Sequence, residues 1–61
     1  MTARELIKRL EAAGWVEVRQ AGSHRIFKNP NFQHNLSVPD HGKQDLKPGL
    51  VNKLLKQAGL K

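Results

Sequence analysis

The apolar positions along the chain change their spacing twice, and those changes divide it into elements. Leu6, Ile7, Leu10 and Ala13 recur at i, i+1, i+4 and i+7, one stripe of an α-helix. Thr2-Ala3-Arg4-Glu5 ahead of the stripe has the form of a capping box, with Thr2 at the N-cap and Glu5 at the third helical position. Glu5 and Arg9 form an i,i+4 pair in the favourable order, and Gly14 supplies a left-handed stop. The pattern predicts a helix over residues 3–13.

The spacing then falls to two. Trp15-Val16-Glu17-Val18-Arg19-Gln20 puts Val16 and Val18 on one side and Glu17 and Arg19 on the other, as in a half-buried strand. Ala21-Gly22-Ser23 reads as a turn, Gly22 being free to take positive φ, and His24-Arg25-Ile26-Phe27-Lys28 as a second strand. The adjacent Ile26 and Phe27 leave the inward face of that strand undecided. Asn29-Pro30-Asn31 is turn chemistry, and His34 to Val38 alternates again with Leu36 and Val38 inward, until Pro39 closes the strand. After the polar loop Asp40 to Gln44, a second helix is expected to begin between Asp45, a good N-cap, and Pro48. Leu50, Val51, Leu54, Leu55 and Ala58 are its stripe, and Gly59-Leu60 has the form of a Schellman end. The order is α-β-β-β-α, an α+β fold of one domain spanning residues 1–61. Two amphipathic helices can cover one face of a three-stranded antiparallel sheet and leave the other open, the layout of double-stranded-RNA-binding domains.

Size limits what such a domain can hold. A chain of 61 residues buries only about 60% of the surface it exposes when unfolded, so a deep catalytic cavity or a large cofactor is not expected. Eleven Lys and Arg against five Asp and Glu give a formal charge of +6, the electrostatic footprint of a polyanion or acidic-protein binder. With no cysteine, disulfides and thiolate metal sites are excluded. No signal-type apolar run follows Met1, and no stretch approaches the ~20 apolar residues of a membrane span. The chain is expected to be soluble and cytoplasmic.

The candidate chemistry centres on Gly22-Ser23-His24. On the residues alone, His24 is either a turn-flanking histidine bonded to backbone or a base beside an anion. A neutral imidazole next to a phosphodiester can take the proton of a ribose 2′-OH, whose oxygen then attacks the adjacent phosphorus, without a metal and only on RNA. Arg25, Lys28, Lys43 and Lys47 are candidate phosphate contacts, although the lysines around the second helix read equally well as a solvated face. His41 is a candidate second proton-transfer or phosphate group, and His34 is expected to be a structural or surface residue of the third strand. The histidine spacing H-x9-H-x6-H matches no compact metal motif, and no nucleotide-binding glycine motif occurs, so neither metal nor cofactor is expected. Ser23 adjoins His24 and would point to the opposite side of a strand, so it is a turn former rather than a nucleophile. Trp15 and Phe32 are expected to pack rather than stack on bases.

Taken together, Gly14-Trp15, Gly22-Ser23-His24-Arg25-Ile26-Phe27, Val38-Pro39-Asp40-His41, Lys47-Pro48-Gly49 and Leu55-Lys56-Gln57-Ala58-Gly59-Leu60, in this order and spacing, resemble the HicA family of toxin ribonucleases from bacterial toxin–antitoxin pairs. The resemblance covers nearly the whole chain. It implies a dsRBD-like fold that cleaves mRNA, with His24 as the catalytic histidine and a HicB-type antitoxin that docks over it. Many members carry a threonine after the Lys-Pro-Gly step, where this chain has Leu50, so Leu50 is assigned no polar role. The rival expectation is a non-catalytic binder of double-stranded RNA, since the order of elements fits one equally well.

Overall fold

A computed structural model describes residues 1–61. Its elements run α1 (Ala3–Ala12), β1 (Val16–Ala21), β2 (His24–Lys28), β3 (Leu36–Pro39) and α2 (Pro48–Gln57). The strands form one antiparallel sheet in the order β1-β2-β3, and both helices pack over the face that presents Phe27, Leu36 and Val38. The core joins those three side chains to Leu6, Leu10, Trp15, Leu54 and Leu55. No helix is long and apolar enough to cross a membrane.

Both helices end in the same way because the sequence ends them the same way. Gly14 takes φ 96°, the Gly14 N–H bonds to Glu11 O at 3.1 Å, and the Trp15 N–H bonds to Leu10 O at 3.0 Å. At α2, Gly59 takes φ 76°, the Gly59 N–H bonds to Lys56 O at 3.1 Å, and the Leu60 N–H bonds to Leu55 O at 2.9 Å. Each is a Schellman cap, which satisfies carbonyls that the helix leaves unpaired. The two caps are joined through Trp15, which is 1% exposed and donates from its indole Nε1 to Ala58 O at 3.3 Å. Asn29 locks the same end of the molecule. It is buried, donates from Nδ2 to Ala13 O at 3.1 Å, and accepts on Oδ1 from the Asn31 N–H at 2.9 Å.

Four expectations are refined. His34 precedes β3 instead of belonging to it. Its Nε2 lies 2.7 Å from Gln57 O at the end of α2, and its ring meets Phe32 edge-on with centroids 5.6 Å apart. Asp45 does not cap α2. Lys47 is the N-cap residue and offers no side-chain bond, while Asp45 pairs with Thr2 in an isolated bridge that draws the chain preceding α2 against the start of α1. Val16 and Val18 are 61% and 50% exposed, so β1 does not bury its valines. Val16 pairs with Lys28 on the side away from Phe27, Val18 has no cross-strand partner, and the sheet's interior is supplied by β2 and β3. Finally, the strict alternation predicted for β1 is broken by a bulge between Glu17 and Arg19.

The positive-φ glycines give a graded stability test. A Cβ at Gly59 would lie 2.8 Å from Phe32 Cζ, whereas nothing lies within 4 Å of one at Gly22, where φ is 61°. Gly22→Ala is expected to cost only the left-handed backbone penalty, roughly 1–2 kcal/mol. Gly59→Ala adds to that the displacement of Phe32 from its packing on Trp15, so its denaturation midpoint should fall further. Equal losses in the two variants would contradict this packing.

Candidate active site

Residues directly paired across strands share a face of the sheet, so the register sorts every side chain around His24. His24 pairs with Ala21 on one side and Pro39 on the other, Ile26 with Arg19 and Ser37, and Lys28 with Val16. These residues form the open face, opposite the helices. The alternate positions, Arg25 and Phe27, pair with Gln20 and Val38 and with Glu17 and Leu36, on the covered side. The ambiguity left by adjacent Ile26 and Phe27 is resolved: Phe27 is the core residue, and Ile26 is only half-buried.

His24 is therefore exposed at the start of β2. Ser37 Oγ stands 3.4 Å from its Nδ1, at the long end of hydrogen-bonding distance, and Nε2 has no partner within the protein. The turn before it is shaped by Gly22 at φ 61°, whose carbonyl accepts from Gln20 Nε2 at 3.2 Å. Ser23 contributes backbone: its carbonyl accepts the Asp40 N–H at 2.6 Å. The loop that carries His41 and Lys43 thus leaves the sheet beside the histidine turn. His41 and Lys47 line a shallow recess of about 320 Å³ with Pro39 and Leu50, and Lys43 lines a second with Thr2 and Arg4. No three His, Asp or Glu side chains converge on one point.

Arg25 lies on the other face from His24, and its fork is occupied. Nε and Nη2 donate to the two Glu17 carboxylate oxygens at 2.7 Å each, and Nη1 donates to Asp40 Oδ2 at 3.1 Å. Asp40 Oδ1 also accepts the Gly42 N–H at 3.1 Å, so one guanidinium ties β1, β2 and the His41 loop together. The bidentate bond from Arg25 holds the Glu17 carboxyl below its usual range. The Gly42 N–H and then Arg25 do the same for Asp40, and Arg25 is itself pushed up, chiefly by its bond to Glu17. Lys28 shares the open face with His24, whereas His41, Lys43 and Lys47 belong to the loop region.

The sequence pattern placed Arg19 on the side of Glu17, opposite Val16 and Val18. The bulge leaves Val18 without a partner, so Glu17 opposes Phe27 and Arg19 opposes Ile26. Arg19 is thereby turned onto the face of His24, which is how bulges beside functional sites re-aim side chains. Neither Arg19 nor Lys28 is engaged in an ion pair, and both are exposed. No carboxylate of the sheet shares their face.

The carboxylate pair sets a pH dependence. Because both carboxyls titrate lower when folded than when unfolded, their stabilisation is complete above the ordinary carboxyl range near pH 4. It is lost as pH falls through the lowered folded values. Denaturant midpoints of the wild type should therefore drop on acidification from pH 6 to pH 3, and those of Arg25→Gln should drop less. Parallel curves would contradict the assigned cause.

A comparison with protein-family models matches residues 3–60 to the HicA toxin of bacterial toxin–antitoxin systems. A search of curated proteins found no match. With a match over nearly its whole length, on a fold in which His24 stands exposed at the start of the central strand, the chain belongs to the HicA toxin family.

Proposed function

We propose that this toxin is a metal-independent endoribonuclease and that His24 is its general base. The observation that carries the reading is the position of His24: exposed, with Nε2 unpartnered, on a sheet face that bears cations and no carboxylate. In the reaction, His24 takes the proton of a ribose 2′-OH, and the O2′–P bond forms as the P–O5′ bond breaks. The departing oxygen receives a proton, leaving a 2′,3′-cyclic phosphate and a 5′-hydroxyl end. His41 is a candidate donor of that proton, since its loop begins at the cross-strand partner of His24. Gly22 and Ser23 shape the turn, Lys28 contacts a phosphate on the open face, and Lys43 and Lys47 contact phosphates along the loop.

Arg25 is removed from the phosphate-contact set, because each of its three guanidinium nitrogens already donates to a carboxylate on the opposite side of the sheet from His24. The partner that membership of a toxin–antitoxin family implies is proposed to be a HicB-type antitoxin covering His24. A net charge of +6 on 61 residues favours an acidic partner that is steered in quickly.

The test is pure protein incubated with single-stranded mRNA in EDTA. Wild type should cleave, and His24→Gln should lose at least about 10²-fold in rate, the scale of general-base catalysis. A 2′-deoxy substitution at the cleaved nucleotide should block the reaction. An intact, shifted RNA band with wild type would instead support the non-catalytic binder.

A further inference from the structure

We infer that Arg19 holds the scissile phosphate opposite His24, brought there by the β1 bulge. The inference rests on the ribonuclease reading above and adds to it the residue that meets the charge developing at phosphorus.

Three observations lead to it. First, the register shift pairs Arg19 with Ile26, two residues along β2 from His24. Arg19 and His24 are thus diagonal neighbours on one face, with Cα atoms roughly 7–8 Å apart, within reach of a long side chain. Without the bulge, Arg19 would fall on the side of Glu17 and Phe27. Second, Arg19 is free: it is exposed and makes no ion pair or side-chain hydrogen bond, while the sheet's two acidic neighbours, Glu17 and Asp40, are held by Arg25 on the far side. Third, the other cations are less well placed. Lys28 shares the face but lies four residues further along β2, about 13 Å from His24 at strand rise, which suits a neighbouring phosphate. Arg25 is committed elsewhere, and Lys43 and Lys47 lie beyond Pro39.

The chemistry of the residue fits the role. As O2′ attacks, negative charge accumulates on the two non-bridging oxygens of the phosphorus. A planar guanidinium presents two parallel N–H donors to both at once in a fixed fork, whereas an ammonium acts as a compact point charge. Such a donor strengthens its bonds as the charge develops, so its loss falls on the chemical step. The exposed Val16 and the half-buried Ile26 on the same face give sugars and bases an apolar surface. The division is economical: Arg25 absorbs the carboxylates, and the bulge turns Arg19 to the substrate.

The experiment compares wild type, Arg19→Ala and Arg19→Lys on single-stranded RNA in EDTA at constant ionic strength. Arg19→Ala should lower kcat by about 10²-fold with a smaller change in KM, Arg19→Lys should fall between, and thermal midpoints should match wild type. Added guanidinium ion, with sodium chloride as the ionic-strength control, should restore part of the Arg19→Ala rate, which a purely structural role would not allow. If wild type cleaves and Arg19→Ala cleaves as fast, the Arg19 inference is overturned while the ribonuclease reading stands. Binding of a 2′-deoxy, non-cleavable strand is read separately. Arg19→Ala should reduce the slope of log affinity against log salt by about 0.7, the value of one phosphate contact on a single strand. An unchanged slope overturns the contact even should wild type fail to cleave, the outcome that would sink the ribonuclease reading.

Discussion

The three hydrogen bonds of the Arg25 guanidinium are the interaction on which the site's geometry depends. In a strand, a slip of one residue exchanges the two faces, so some feature must fix which side His24 takes. Phe27 does so through burial, and Arg25 does so through charge: both belong to the covered side, and Arg25 is anchored at once to β1 and to the loop after β3. His24, Ile26 and Lys28 are left to the open side. Because Asp40 also binds the Gly42 N–H, and its own N–H reaches Ser23 O, the same network fixes the loop against the histidine turn.

Behind the sheet, a second device holds the helices. Trp15 follows the cap of α1 directly and hydrogen-bonds the last turn of α2, and Phe32 and His34 pack beside it. One buried indole thus joins the C-terminal ends of both helices. His34 thereby has a structural part at the C-terminal carbonyls of α2, distinct from the exposed histidine of the turn.

The elements of this fold were legible because their signals are local. The N-cap at Thr2, the paired Ala-Gly helix ends, the glycine turn at Gly22 and the alternation of Leu36 and Val38 each act over a few residues, and each is found where the pattern puts it. Glu5, however, accepts from the Thr2 hydroxyl rather than closing a capping box on the Thr2 N–H. The turn that carries His24, the candidate site, was legible as a turn for the same reason. What the pattern concealed depends on partners distant in sequence. Arg25 and Asp40 are 15 residues apart, and Trp15 and Ala58 are 43 apart, so neither pairing leaves a periodic trace. The bulge is hidden differently. Val-Glu-Val-Arg alternates faultlessly, and only pairing with β2 shows that one residue is surplus and that Arg19 changes sides. Neighbours in sequence, His24 and Arg25, lie on opposite faces of the sheet.

The account assigns substrate to the open face of the sheet, and chemical-shift mapping of His24→Gln protein bound to an intact single-stranded RNA tests this most directly. Side-chain shifts are expected at Val16, Arg19, Ile26, Lys28 and Ser37, with Arg25 and the outer faces of α1 and α2 little changed. Shifts concentrated on the two helices, with the open face undisturbed, would contradict it.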